Sequence, residues 1–68
     1  MQAHFLTARE KEIFNLLSKN KDTMEISEFL GISEKTVRNH ISNVIQKLGV
    51  KGRSQAIVEL VRLGAIKI

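Results

Sequence analysis

The sequence predicts an all-α fold of four short helices in a single domain. Apolar residues recur at helical spacing along nearly the whole chain, whereas the alternation typical of strands is scarce and proline is absent. At 68 residues the chain has room for one small domain, with its core expected over residues 6–64 and a short tail at each end. The helices are predicted over residues 8–18, 23–30, 34–48 and 53–63.

The first two helices begin at capping patterns. Thr7 and Glu10 have the spacing of a capping box, in which each side chain bonds the backbone N–H group of the other residue. Asp22 and Glu25 repeat this arrangement ahead of the second helix. Gly31 follows that helix and suits the left-handed backbone with which many helices end.

Similar features of the sequence predict the third and fourth helices. Ser33 is placed to cap the third helix, whose apolar stripe runs as far as Gly49. A short basic turn comes next, and the fourth helix ends before Gly64. Helices this short are marginal in isolation, so we expect their apolar stripes to share one core.

Composition excludes several classes of protein. The chain has no cysteine, which rules out disulfides and thiolate metal sites, and His4 and His40 are its two histidines. We therefore expect no metal and no cofactor. The sequence shows neither a nucleophile–base set nor a glycine-rich phosphate loop, so we expect no enzyme. With no apolar run near the roughly 18 residues of a membrane span, we expect a cytoplasmic protein without membrane contact.

The positive charge is concentrated in one segment. The chain has a net charge of +4. Residues 33–53 hold five basic side chains and one acid, Glu34, whereas the rest of the chain holds six of each sign. Surfaces that only meet water usually intersperse their charges, so this asymmetry favours a polyanionic partner for the segment.

The second helix, the turn and the third helix fit a helix-turn-helix unit. Ser27 is small where two helices would cross closely, and Gly31 tolerates the left-handed turn. The apolar residues that would fix the angle between the helices are Ile26, Leu30, Ile32 and Val37. An ordinary helical hairpin would use many of the same residues, so geometry alone leaves both interpretations open.

The outer face of the third helix strengthens the DNA-binding interpretation. Six polar residues without a carboxylate lie opposite the apolar stripe: Lys35, Arg38, Asn39, Ser42, Asn43 and Gln46. Arginine can bond guanine through two hydrogen bonds, and asparagine or glutamine can do the same with adenine. On one flank, Thr36, His40 and Lys47 are candidate DNA contacts. Their structural alternatives are helix stabilisation, a packing histidine and a solvated lysine.

The fourth helix is apolar on more than one face. One face can serve the core. A second stripe consists of Ser54, Val58, Val61 and Ala65. A domain this small cannot bury a helix that is apolar nearly all round, so we expect a symmetric dimer through the second stripe. The alternative is a chain end that folds over the first helix.

Several stretches together resemble the LuxR/GerE-type helix-turn-helix family. They are residues 6–10, 25–26, 32–41 and 47–56. They keep the family's order and spacing over about residues 6–64, and the likeness is greatest to its stand-alone members that act in sporulation. The resemblance implies a four-helix DNA-binding domain in which the third helix enters the major groove and the fourth mediates dimerisation.

The resemblance also implies roles for individual residues. Matches to base-facing positions are Arg38, Asn39 and Ser42, to which we add Asn43 from the same face. Matches to backbone-contacting positions are Lys35, Thr36, Lys47, Lys51 and Arg53, to which we add Ser33 and His40 from their placement. Ser27 departs from the alanine common in the family, so its hydroxyl needs a hydrogen-bond partner.

The sequence therefore predicts a nucleoid-associated bacterial transcription regulator that binds specific double-stranded DNA as a homodimer. RNA polymerase is a further candidate partner. Three alternatives stay open: the excised output domain of a response regulator, a helical protein-interaction module, and a promoter-reading domain that resembles part of a sigma factor.

Overall fold

The computed structural model describes residues 5–67, which form four helices and no strand. The helices are α1 (Ala8–Ser18), α2 (Thr23–Leu30), α3 (Glu34–Leu48) and α4 (Arg53–Arg62). The all-α prediction is confirmed, and so are the bounds of the first three helices. Residues 1–4 and 68 of the predicted domain, with His4 among them, lie outside the described residues.

The fourth helix ends at Arg62, one residue before its expected end at about residue 63. Leu63 is the C-cap, and the backbone tightens there because the N–H group of Gly64 donates to Val61 O, three residues back. Gly64 then takes a positive φ of 76°, which turns the chain away from the helix axis.

Both predicted capping boxes are present. Thr7 Oγ1 accepts from Glu10 N at 3.1 Å, and the Glu10 carboxylate accepts from Thr7 N at 2.9 Å. At α2, Asp22 Oδ1 accepts from Glu25 N at 2.8 Å, and the Glu25 carboxylate accepts from Asp22 N at 3.0 Å. Each box satisfies two backbone donors that a helix N-terminus otherwise leaves without partners.

The turn from α2 to α3 is closed by local hydrogen bonds. Gly31 is the C-cap of α2 with φ 69°, and the next residue, Ile32, donates its N–H group to Ser27 O at 3.1 Å. The buried Ser27 hydroxyl donates to Met24 O at 2.8 Å, which supplies the partner that its replacement of alanine requires. Ser33 then caps α3 by accepting from Thr36 N.

All four helices contribute to one core. Its buried apolar residues are Leu6, Ile13, Phe14, Leu17, Ile26, Val37, Ile41, Val44, Ala56, Leu60 and Ile66. Helices α1 and α3 each contact the other three helices, so these two lie together at the centre of the packing. The core reaches Ile66, two residues beyond its predicted end, because the turn after α4 points the chain back inward. None of the described helices is long and apolar enough to cross a membrane.

Replacing Gly31 with alanine should destabilise the fold by about 1 kcal/mol. A left-handed backbone costs a residue with a Cβ roughly 1–2 kcal/mol, partly offset by the smaller conformational freedom of alanine in the unfolded chain. A Cβ at Gly31 meets no atom within 4 Å, so the cost is conformational and not steric. Urea denaturation at neutral pH measures the difference.

The matched control is Gly31→Asn, since asparagine visits left-handed geometry more readily than alanine does. It should lose less stability than Gly31→Ala. Equal losses for the two variants would contradict the conformational explanation.

Candidate nucleic-acid interface

The outer face of α3 is exposed, polar and free of carboxylates. Its exposed residues are Lys35, Arg38, Asn39, Ser42, Asn43, Gln46 and Lys47. Val37, Ile41 and Val44 hold the opposite side of the helix in the core. The helix has one acid, the half-buried Glu34, which is its first residue. The structure therefore brings the four base-reading candidates together on one surface that solvent, or a nucleic acid, can reach.

Glu34 connects this face to α2. Its Oε2 atom accepts a hydrogen bond from Thr23 Oγ1 at 2.9 Å, and the same oxygen lies 3.5 Å from Arg38 Nη1. Arg38 nevertheless keeps 55% of its side-chain surface exposed. The candidate base-reading arginine thus has a partner at Nη1 and keeps much of its side chain accessible.

The start of α3 is already capped. Ser33 Oγ accepts from Thr36 N at 3.1 Å and lies 2.9 Å from Thr36 Oγ1. Ser33 is exposed, whereas Thr36 is half-buried. These predicted phosphate contacts therefore have a structural role in the free protein, and their hydroxyls are hydrogen-bonded to each other.

Lys47 forms hydrogen bonds with residues near the N-terminus of the domain. Its ammonium group donates to Phe5 O at 2.9 Å and to Glu10 Oε1 at 2.7 Å. The lysine side chain is 34% exposed, whereas the Glu10 carboxylate is 3% exposed and also accepts from Thr7 N. One buried carboxylate thus belongs to the capping box of α1 and to an ion pair with α3.

The pKa of Glu10 is lowered by these partners. Burial by itself raises the pKa of the carboxyl group. The hydrogen bond from Lys47, the backbone hydrogen bond from Thr7 and the positive charge of Lys47 outweigh burial, with a smaller contribution from His40. The carboxylate is therefore stabilised in its charged form. His40 is half-buried.

The basic turn before α4 is exposed. Lys51 and Arg53 both face solvent, and the side-chain oxygen of Gln55 accepts from Lys51 N at 2.9 Å. Gly52, the N-cap of α4, has no side chain that could accept from the helix, so Gln55 helps to hold the turn from within α4. Both cations remain accessible beside the C-terminal end of α3.

The second stripe of α4 is unevenly exposed. Val58 is 67% exposed and Ser54 is exposed, whereas Val61 and Ala65 are half-buried. Ser54 and Val58 line a shallow hollow together with Val50, Gln55 and Glu59. After α4 the chain does fold back into the core through Ile66, yet this leaves Val58 uncovered. The expected stripe therefore exists as a small apolar patch centred on Val58.

The described part of the chain offers no candidate metal centre. Within residues 5–67, no three histidine or acidic side chains approach each other closely enough to hold an ion. Apart from the exposed Glu28, the acids there cap helices or form ion pairs with lysine and arginine, as Glu10, Glu34 and Glu59 do.

Comparison with known proteins assigns the family. The family model described as bacterial regulatory proteins, luxR family, matches residues 4–60 of the chain. The chain belongs to this family. Its similarity to the spore germination protein GerE of Bacillus subtilis is 65% identity over 63 residues, which cover 93% of this chain and 85% of GerE.

Two further similarities place this LuxR-family chain among regulators. The solved structure of the transcription factor GerE superposes with a TM-score of 0.90 at 68% identity, covering 91% of this chain and 92% of that one. The transcriptional regulatory protein DegU of Brevibacillus brevis is 46% identical over 65 residues, which are 96% of this chain but 28% of DegU. The chain is a GerE-like transcription regulator with a LuxR-type helix-turn-helix DNA-binding domain, and these relatives are regulators, not enzymes.

Two side-chain contacts between helices of this LuxR-family domain were not predictable from the sequence. Glu10 and Lys47 are 37 residues apart, and Thr23 and Glu34 are 11 residues apart. Capping patterns are local and end within one helical turn, so they identify Glu10 as a cap without showing its second partner. The one available indication is that Glu34 is the sole acid in a basic segment, which marks it as unusual but names no contact.

We expect Glu10→Gln to reduce stability at pH 7 by about 1–2 kcal/mol. Removing one partner of a fully buried ion pair costs roughly 3–5 kcal/mol, and here water partly solvates Lys47, which lowers the cost. Because the pKa of Glu10 is lowered on folding, its contribution is complete above the ordinary value of 4.5 and is lost as pH falls through the lower folded value. The difference in the free energy of unfolding between wild type and variant, measured by urea denaturation, should therefore become smaller below pH 4.5.

The control is Glu12→Gln, which removes an exposed carboxylate of the same helix that pairs with Arg9. An exposed pair of this kind contributes at most about 1 kcal/mol. If the loss in free energy of unfolding for Glu10→Gln stayed constant down to pH 3, the assigned pKa direction would be contradicted.

Proposed function

We propose that this chain regulates transcription by reading specific double-stranded DNA with α3 in the major groove, as a homodimer that associates through α4. The observation that carries the proposal is the exposed, carboxylate-free face of α3, placed opposite the stripe that fixes the helix in the core. We further propose that residues 1–68 act as one DNA-binding domain and work on the bacterial nucleoid in the cytoplasm.

Sequence reading is the role proposed for the middle of this face. Arg38, Asn39, Ser42 and Asn43 are exposed, and their side chains carry the donors and acceptors that base edges require. Arginine has the longest reach of the four and can make two parallel hydrogen bonds to guanine. We therefore assign Arg38 the largest share of the discrimination between sequences.

General affinity for the DNA backbone is the role proposed for the hydroxyl and basic side chains around the face. The phosphate-contacting set consists of Ser33, Lys35, Thr36, His40, Lys47, Lys51 and Arg53. Lys35, Lys51 and Arg53 are exposed and so are the strongest members. Lys47 already donates to Glu10 and Phe5, so we assign it chiefly to anchoring α3, with any phosphate contact made by its remaining donor.

Dimerisation is the role proposed for the patch around Val58. The dimer interface would consist of Ser54, Val58, Val61 and Ala65. A two-fold contact places the same patch of both copies face to face, so an exposed valine would meet its own counterpart. Two α3 helices held this way would read half-sites about one helical turn apart, on the order of 10 bp.

Two other expectations keep a place in the proposal. Regulation requires an effect on RNA polymerase, which is therefore the second partner that we propose. The match to 28% of DegU also supports the alternative that this kind of domain serves as one part of a longer transcriptional regulatory protein. A protein-interaction module that does not bind DNA has less support, because it has no use for a carboxylate-free face on α3.

Replacing Arg38 with alanine should relax sequence preference at one base pair. The test begins with selection of bound sequences from a random duplex pool by the wild-type chain. Loss of a bidentate base contact costs about 1–3 kcal/mol at the pair that is read, whereas other positions keep their discrimination. Binding of the selected duplex and its single base-pair variants, measured by fluorescence anisotropy, locates that pair.

Lys35→Gln is the matched control, because it removes a neighbouring cation of the same helix without removing the proposed base contact. It should weaken binding to all duplexes alike, and it should reduce the slope of log affinity against log salt by about 0.9. An equal loss on selected and scrambled duplexes for Arg38→Ala would contradict its base-reading role.

Replacing Val58 with glutamate should abolish self-association. Two like charges would face each other across a two-fold interface from which water is excluded, and burial of an unpaired charge is costly. Sedimentation equilibrium in the presence of a duplex that carries two half-sites reports the change, and binding to a single half-site should persist.

Met24→Glu provides the comparison, since Met24 is also an exposed apolar residue, at 56%, but lies on α2. It should leave self-association unchanged. Equal association of the Val58→Glu variant and wild type would exclude α4 as the dimer surface.

A further inference from the structure

Glu34 occupies an unusual place for an acid. It begins the helix that we propose to enter the major groove, where a carboxylate is repelled by phosphates. Its Oε2 atom nevertheless has two partners, Thr23 of α2 and Arg38 one turn further along α3. Its side chain is 37% exposed, so water could solvate it without either contact.

We propose that Glu34 is a positioning residue that sets the direction of the Arg38 side chain for base reading. This inference rests on the proposed function, because it assumes that Arg38 contacts a base. Thr23 donates to the carboxylate from α2 at 2.9 Å, and the same carboxylate oxygen lies 3.5 Å from Nη1 of the guanidinium. The three side chains form a chain of contacts from α2 to the exposed face of α3.

The geometry leaves Arg38 free to bind a base. A guanidinium group has five N–H donors, and the contact with Glu34 involves Nη1. The donors on Nη2 and Nε remain available for a bidentate contact. The spacing of an acid four residues before an arginine is also the favourable order for an ion pair along a helix. Arg38 can therefore keep its contact with Glu34 while it binds a base.

The benefit of the restraint is a smaller loss of entropy on binding. A free arginine has many rotamers, and ordering one such side chain at an interface costs about 0.5–1.5 kcal/mol, which equals about a twofold to tenfold change in affinity. A side chain that is already directed toward the groove avoids part of this loss. The gain appears only when the correct base is present, so it raises specificity more than general affinity.

A variant of Thr23 can separate a positioning role of Glu34 from an effect of its charge alone. Its hydroxyl donates to Glu34 from a different helix, and replacing it with valine keeps the shape and changes no charge. If Glu34 acts by position, loosening it through Thr23→Val reduces discrimination as well. If Glu34 acts only by repelling phosphates, Thr23→Val has no effect on discrimination.

The experiment uses the duplex selected by the wild-type chain, its variants at the base pair assigned to Arg38, and a scrambled duplex of equal length. We expect Glu34→Ala to reduce discrimination at that one pair by about twofold to tenfold, as the entropy argument predicts. Binding to the scrambled duplex should tighten, since a negative charge near phosphates is removed. Thr23→Val should reduce discrimination at the same pair by a smaller factor, without tightening binding to the scrambled duplex.

Two controls complete the design. Glu28→Ala removes an exposed acid of α2 and should leave discrimination unchanged. In an Arg38→Ala background, Glu34→Ala should cause no further loss of discrimination, because contacting residues of one network are not additive. A residue that merely stabilised the fold would lower discrimination at no particular base pair and would act equally in both backgrounds.

Three results would overturn the inference. The first is unchanged discrimination in Glu34→Ala and Thr23→Val while the wild type and Arg38→Ala differ as expected. The second is a changed preference at a different base pair, which would make Glu34 a reader of cytosine N4 in its own right. The third is failure of the wild-type pool selection to yield any preferred sequence, which would remove the proposed function itself.

Discussion

Burial of one face of α3 is the constraint on which the rest of the structure depends. Val37, Ile41 and Val44 are almost fully buried, and α3 contacts every other helix. Short helices are marginal alone, so α1, α2 and α4 owe their stability largely to packing around this stripe. The same packing fixes the opposite face of α3 toward solvent. One stripe of three β-branched residues thus contributes to the core and directs the opposite face of α3, the proposed DNA-binding surface, toward solvent.

Much of the fold was predictable because its determinants are local. A capping box acts over three residues, a left-handed glycine acts at one position, and an apolar stripe repeats within a helical turn. Thr7, Asp22, Ser33 and Gly31 therefore define the helix boundaries from sequence alone. The exposed face of α3 follows from the same periodicity, since the side opposite a buried stripe must meet solvent in a domain this small.

The contacts between helices were not predictable in the same way. A salt bridge between Glu10 and Lys47 spans 37 residues, and nothing in either local pattern names the other residue. The contact changes the interpretation of Lys47, which resemblance to the family places among phosphate contacts and which the structure shows anchoring α3 to the start of the domain. The burial of Ile66 was missed for a related reason, because the turn at Gly64 redirects a chain end that looked like a tail.

The acids of this basic domain show how charge and position are combined. Glu10 lies in the interior, where its charge is balanced by Lys47 and by a backbone donor, so it does not oppose a nucleic acid at the surface. Glu34 lies at the edge of the exposed face, where its charge is costly for general DNA affinity. A repulsion that acts equally on all sequences leaves the difference in affinity between them unchanged, so any gain in specificity has to come from the contact of Glu34 with Arg38. In the proposed function, the positive charge of α3 and of the turn behind it attracts DNA phosphates, and Glu34 directs the Arg38 side chain.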